Sequence, residues 1–103
     1  MHIVFVTTKN RKEAEKIAGA LLKEKLIACA NIIDGVSSLF WWQGKIDRAR
    51  EALLILKTRE SVFKKLETRI KSLHSYKVPE IIAVHVASGS KEYLAWVKNS
   101  VVL

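Results

Sequence analysis

A single cysteine in 103 residues excludes an internal disulfide framework and any CxxC metal motif. That residue, Cys29, lies in the apolar run Ile27-Ala28-Cys29-Ala30 and reads as a small buried hydrophobe. The four glycines are scattered, and none falls in a P-loop or a GxGxxG turn, so the usual phosphate cradles are missing. GxSxG, HExxH and a clustered carboxylate pair are absent too, and with them the commonest signs of a hydrolase; no catalysis is expected. Apolar runs are short. The first, Ile3 to Val6, turns polar at Thr7, too soon for a signal peptide or a membrane span, which points to a cytoplasmic protein with no membrane partner.

Acidic residues are also scarce, 10 against 18 basic ones, leaving a net charge of +8. Such a surplus attracts anions. The basic residues nevertheless form only small groups, Lys9, Arg11 and Lys12 in one and Lys64, Lys65, Arg69 and Lys71 in another, without the dense tract of a nucleic-acid binder. An RNA-binding RRM would further need aromatics on its third strand, where this chain has Leu53-Leu54-Ile55-Leu56.

Aromatics make up only 8% of the chain, yet Trp41 and Trp42 are adjacent, just before the turn-like pair Gln43-Gly44. Successive strand residues point to opposite faces, so the two indoles need two surfaces. A chain this short has one small core. The economical second surface is another subunit.

The remaining pattern divides cleanly. Ile3 to Val6 reads as a strand buried on both faces. Asn10 with Glu13 makes a capping box, and Ala14, Ile17, Ala18, Leu21 and Leu22 form the stripe of a helix running to about Lys25. Strand character returns at Ile27 to Ile33, bends or bulges at Asp34-Gly35, and resumes from Val36 to Trp42. From Ile46 the chain is polar until Ala52 to Leu56 supplies a third strand, ending in Lys57-Thr58. Phe63, Leu66, Ile70 and Leu73 mark a second helix from about Ser61 to His74, Ile81 to Val86 a fourth strand, and Tyr93, Leu94, Val97 and Val101 a last helix capped at Ser90.

This order, β-α-β-β-α-β-α, predicts an α+β, ferredoxin-like sandwich: one domain over residues 1–103, with a four-stranded antiparallel sheet and both main helices on one face. The opposite face is too apolar to be left to water. The third helix can cover part of it, and a neighbouring copy the rest.

Four segments in order then carry a resemblance: Leu26-Ile27-Ala28-Cys29-Ala30-Asn31, Trp42-Gln43-Gly44-Lys45-Ile46, Leu56-Lys57-Thr58 and His74-Ser75-Tyr76-Lys77-Val78-Pro79-Glu80-Ile81. The chain resembles the CutA family, the divalent-cation tolerance proteins, and Tyr93-Leu94-Ala95-Trp96 matches the start of that family's last helix. The resemblance implies a homotrimer with long β2–β3 hairpins reaching onto neighbours, as in PII-type signalling proteins, and a role in tolerance of copper and other divalent ions. A metal site proposed in some members uses a first-strand cysteine and two adjacent histidines. Thr7 and Leu73 occupy two of those positions here, Ser75 stands where a proline is usual, and His74 is the histidine that remains.

Two site readings follow. His74 is the candidate ligand for a divalent metal ion such as copper, while His2, Cys29 and His85 show no ligand spacing with it. Read from the residues alone, His74 at a helix end is also a cap for its carbonyls, and His2 and His85 are peripheral or hydrogen-bonded. The alternative is a small anion or nucleotide held in a cleft between subunits, with Lys57, Thr58 and Tyr76 as its binding residues.

Overall fold

The structure, a computed structural model, describes residues 1–102. Strand β1 (His2–Thr8) alternates, burying Val4, Val6 and Thr8 on one face. Helix α1 (Arg11–Lys23) starts where expected: the Asn10 side chain accepts the Glu13 amide hydrogen at 2.8 Å. It lays Ala14, Ile17, Ala18 and Leu21 on the sheet. Strands β2 (Cys29–Trp42) and β3 (Lys45–Thr58) form the hairpin, followed by a 3-10 turn (Glu60–Val62), α2 (Phe63–Leu73), β4 (Ile81–His85) and α3 (Lys91–Ser100). The sheet order is β2-β3-β1-β4, every pair antiparallel. This is the expected α+β arrangement.

One correction concerns β3, which begins at Lys45, directly after the turn. The mostly polar stretch from Ile46 to Glu51 gives no strand signal in the sequence because it lacks an apolar face, but pairing with β2 supplies its backbone partners. Gln43 and Gly44 both have positive φ, 49° and 77°, the backbone of a two-residue hairpin turn whose twist matches the strands. A second correction concerns α2, preceded by the 3-10 turn that places Glu60 beside the sheet.

The core lies between the helices and the even-numbered face of β1 and β3, where Val4, Val6, Leu54 and Leu56 meet Ile17, Leu21, Leu66 and Ile70. Ile3, Phe5, Leu53 and Ile55 point the other way and are partly exposed, joined by Ile33, Ile82 and Val84, which are more exposed still. At Asp34-Gly35 two residues of β2 oppose one of β3, and the register shifts. That bulge inverts the parity of the outer hairpin. Beyond it Val36, Phe40 and Trp42 continue the open face, while Leu39, Trp41 and Ile46 share the other, so the two indoles do face opposite sides. Helix α3 buries Val97, its C-cap residue Val101 is buried as well, and the helix brings Tyr93 to Cys29, covering one end of the open face.

Candidate functional site

The residues expected to share one cleft lie at opposite ends of the sheet. Lys57 pairs with Ile3 near the start of β1, whereas the Tyr76 hydroxyl donates to Glu51 Oε2 at 2.7 Å. Glu51 and Lys57 are six residues apart on β3, about 20 Å at strand rise. Within one subunit they do not meet. Thr58 is farther from any ligand role: it is fully buried on the core face, and its hydroxyl donates to the Leu26 carbonyl at 2.7 Å. Lys57 is half-buried on the open face, with its ammonium against Asn31 Oδ1 and 3.9 Å from Cys29 Sγ. Cys29 is thus half-buried, not a core residue, because its odd-numbered position puts it on the face without helices.

His74 is the centre of a different arrangement. Its Nδ1 accepts the Tyr76 amide hydrogen at 3.0 Å, so Nε2 carries the ring hydrogen and donates to the Thr7 carbonyl at 2.7 Å. Both nitrogens are in use. The ring thereby ties the end of α2 to β1, and a metal at His74, the sequence expectation, would require one of these two hydrogen bonds to break. Sequence reasoning named Thr7 only as a missing cysteine; it is the Thr7 main chain that matters.

Glu13 completes the junction. Its carboxylate accepts from the Lys9 amide at 3.1 Å and the Ser75 amide at 2.8 Å. Burial works to raise the Glu13 pKa, but the hydrogen bonds from Ser75 and Lys9, with His74 nearby, outweigh it and hold the value below the usual one. A depressed carboxyl pKa contributes stability that is present above the unfolded value and lost as pH falls through the folded one. Glu13→Gln is therefore expected to lower stability at neutral pH and to flatten its loss below about pH 4.5, the ordinary value. Urea midpoints measured from pH 6 to pH 3 check this; parallel curves for the two proteins would remove Glu13 from the account.

The structure also gathers residues that the sequence left scattered. His2 and His85 are direct partners across β1 and β4, and Glu60 reaches them from the 3-10 turn; one donor atom from each lies within 4.8 Å of the others. Their rings sit edge to face with centroids 5.7 Å apart, and His85 Nδ1 is 3.9 Å from Glu60 Oε2. His2 is half-buried against Phe63, while Glu60 and His85 are exposed. No sequence signal links positions 2, 60 and 85, because their meeting depends on strand register and on a turn too short to have a pattern.

Comparison with known proteins agrees with the fold and the sequence pattern. The pattern described as CutA1 divalent ion tolerance protein matches residues 2–100. The chain is 45% identical over 98 residues to the rice protein named Protein CutA 1, chloroplastic, covering 95% of this chain and 55% of that protein. It thus spans about half the length of this plant relative. It is 43% identical over 98 residues to the divalent-cation tolerance protein CutA of Thermus thermophilus, covering 95% of both chains. The solved structure of the Thermus protein superposes with a TM-score of 0.95 at 42% identity, covering 98% of this chain and 99% of that one. The Archaeoglobus fulgidus structure, described as a periplasmic divalent cation tolerance protein, gives 0.93 at 42% identity, covering 97% and 98%. The Thermus and Archaeoglobus names specify divalent-cation tolerance, the compartments named are the chloroplast for the rice protein and the periplasm for the Archaeoglobus one, and none of the names specifies an enzyme. No helix among the described residues is long and apolar enough to cross a membrane. With sequence and backbone both matching along nearly the whole length, the chain belongs to the CutA1 divalent ion tolerance family.

Proposed function

We propose that this chain is a cytoplasmic, non-enzymatic divalent-cation tolerance protein that works as a homotrimer, each subunit one CutA-like domain, and that it engages copper or a similar divalent ion. The observation that carries the assembly is the open sheet face with its hairpin. Ile33, Ile82 and Val84 are about half exposed, and the hairpin adds Phe40, Trp41 and Trp42. A patch of this size and composition is a subunit interface rather than a solvated surface. The cation half rests on family membership and on the names its relatives carry.

Light scattering at low micromolar concentration is expected to give about three times the 11.7 kDa subunit mass. A monodisperse monomer would overturn the assembly. Isothermal calorimetry with Cu²⁺ is expected to give saturable heat, and its absence would overturn the cation reading.

A PII-like anion site is the second reading, favoured by Lys57: its ammonium lies on the open face and has no carboxylate within salt-bridge distance among the described residues. Tyr76 could contribute only from a neighbouring copy. Nucleotides at millimolar concentration should then raise the melting temperature by mass action, and Lys57→Ala should abolish the rise. No shift across a nucleotide panel would leave cation handling as the survivor.

A further inference from the structure

We propose that His2, Glu60 and His85 form a binding site for one first-row transition-metal ion per chain, Zn²⁺ or Cu²⁺ in preference to Mg²⁺ or Ca²⁺. The inference rests on the cation reading above and assigns it a place. Two imidazoles and one carboxylate are the donor set of three-ligand zinc centres, which leave a fourth position to water, whereas the alkaline-earth ions prefer cages of oxygen.

The backbone builds the pair of histidines. The Val86 amide donates to the Met1 carbonyl at 3.0 Å, which makes Met1 and Val86 a hydrogen-bonded pair. The next pair along an antiparallel ladder is the narrow, non-bonded kind, with Cα atoms about 4.5 Å apart and side chains close together. His2 and His85 are that pair, on the helix-side face they share with Val4 and Ala83. Glu60 arrives from the 3-10 turn, so the third donor comes from an element fixed by the burial of Val62.

A separate observation points to a missing partner. His2 Nδ1 is buried without a hydrogen-bond partner, alone in this among the buried side-chain polar atoms of the described residues. Leaving a buried polar atom unsatisfied is costly, and a cation can satisfy an imidazole nitrogen as a hydrogen bond would. Donor atoms up to 4.8 Å apart need about 1 Å of closure to share an ion at bond lengths near 2.1 Å. Glu60 and His85 can supply that movement, since both side chains are largely exposed.

The surroundings suit a bound ion that exchanges. Beside the cluster a cavity of about 530 Å³ is lined by Met1, Glu60, Val86, Leu94 and Lys98, so water can reach the open coordination position. Because the three donors lie on the helix side, an assembly through the open face would leave them accessible.

Zn²⁺ titration by calorimetry and Co²⁺ visible absorption, on metal-stripped protein, test the proposal. The wild type is expected to bind one ion per chain and to show the bands of tetrahedral Co²⁺. His2→Ala and His85→Ala should each weaken Zn²⁺ binding more than about tenfold, and Glu60→Gln several-fold, with Co²⁺ bands lost in the histidine variants. Exposed His85 tolerates replacement, and circular dichroism of the metal-free variants confirms the fold. If Zn²⁺ binds the wild type and all three variants alike, the site is wrong while the cation reading stands. Loss in His2→Ala alone assigns the ion to the amino terminus with His2 and also overturns the site. No binding of Zn²⁺, Co²⁺ or Cu²⁺ to the wild type overturns both.

Discussion

Trp41→Ala and Trp42→Ala should each weaken the proposed trimer by roughly 2–4 kcal/mol, the range of aromatic hot spots. The surface involved yields a similar figure. In the isolated subunit Trp41 is 74% and Trp42 59% exposed. An indole offers about 150–250 Å², and covering the exposed share at about 25 cal/mol per Å² gives roughly 2–5 kcal/mol. Because each 1.4 kcal/mol is tenfold, the dissociation constant should rise about 30-fold to several hundred-fold. The two indoles lie on opposite sides of the hairpin, so the effects need not be equal, and each reports a different contact. Dilution followed by light scattering measures both. Variants that stay trimeric with unchanged dissociation would make the hairpin tip an exposed ornament and leave the open sheet face to hold the assembly alone.

Most of this fold was legible in the sequence because its elements have strong local signatures. The apolar runs Ile3 to Val6 and Ala52 to Leu56 are strands as read, although β1 buries only one face fully instead of both, Asn10 caps α1 as expected, and Asp34-Gly35 forms the expected bulge. What periodicity could not supply was the start of β3. Lys45 to Arg50 belong to a ribbon that extends past the helices with both faces largely exposed, so no packing inside the subunit imposes an apolar period on its sequence.

The candidate site was less legible, for a reason of topology. Position along a strand decides which end of the sheet a residue occupies, and position parity decides which face. Lys57 and Thr58 are neighbours in sequence, yet one is half-buried on the open face and the other sealed in the core. The same two coordinates hid the His2 and His85 pair, which needs the β1–β4 register to be known. The sequence reads His74 as a metal ligand or as a cap for the α2 carbonyls, whereas its ring bonds the Thr7 carbonyl of β1 and the Tyr76 amide, which gives it a latch's role.

That latch extends to Tyr76 and Glu51, where the second large effect is expected. Glu51 is a carboxylate almost removed from solvent, and the Tyr76 hydroxyl is the side-chain donor that reaches it. Tyr76→Phe keeps the ring against His74, whose centroid lies 4.9 Å away, and deletes only the donor. Hydrogen bonds to a charged group are worth about 1.5–3 kcal/mol, so the loss of stability should fall in that range. The pH dependence separates this effect from simple loss of packing. Burial, with the Glu51 carboxylate beside the phenol, pushes the Tyr76 pKa up to about 12 from 10.0. A raised phenol pKa means that the folded chain holds its proton longer than the unfolded one. The contribution is therefore complete below pH 10 and is lost as pH rises towards 12. Wild-type stability should fall across that window more steeply than that of Tyr76→Phe, and the two urea midpoints should converge at its upper end. A constant gap between them from pH 8 to pH 12 would mean that the hydroxyl's proton is not what Glu51 uses.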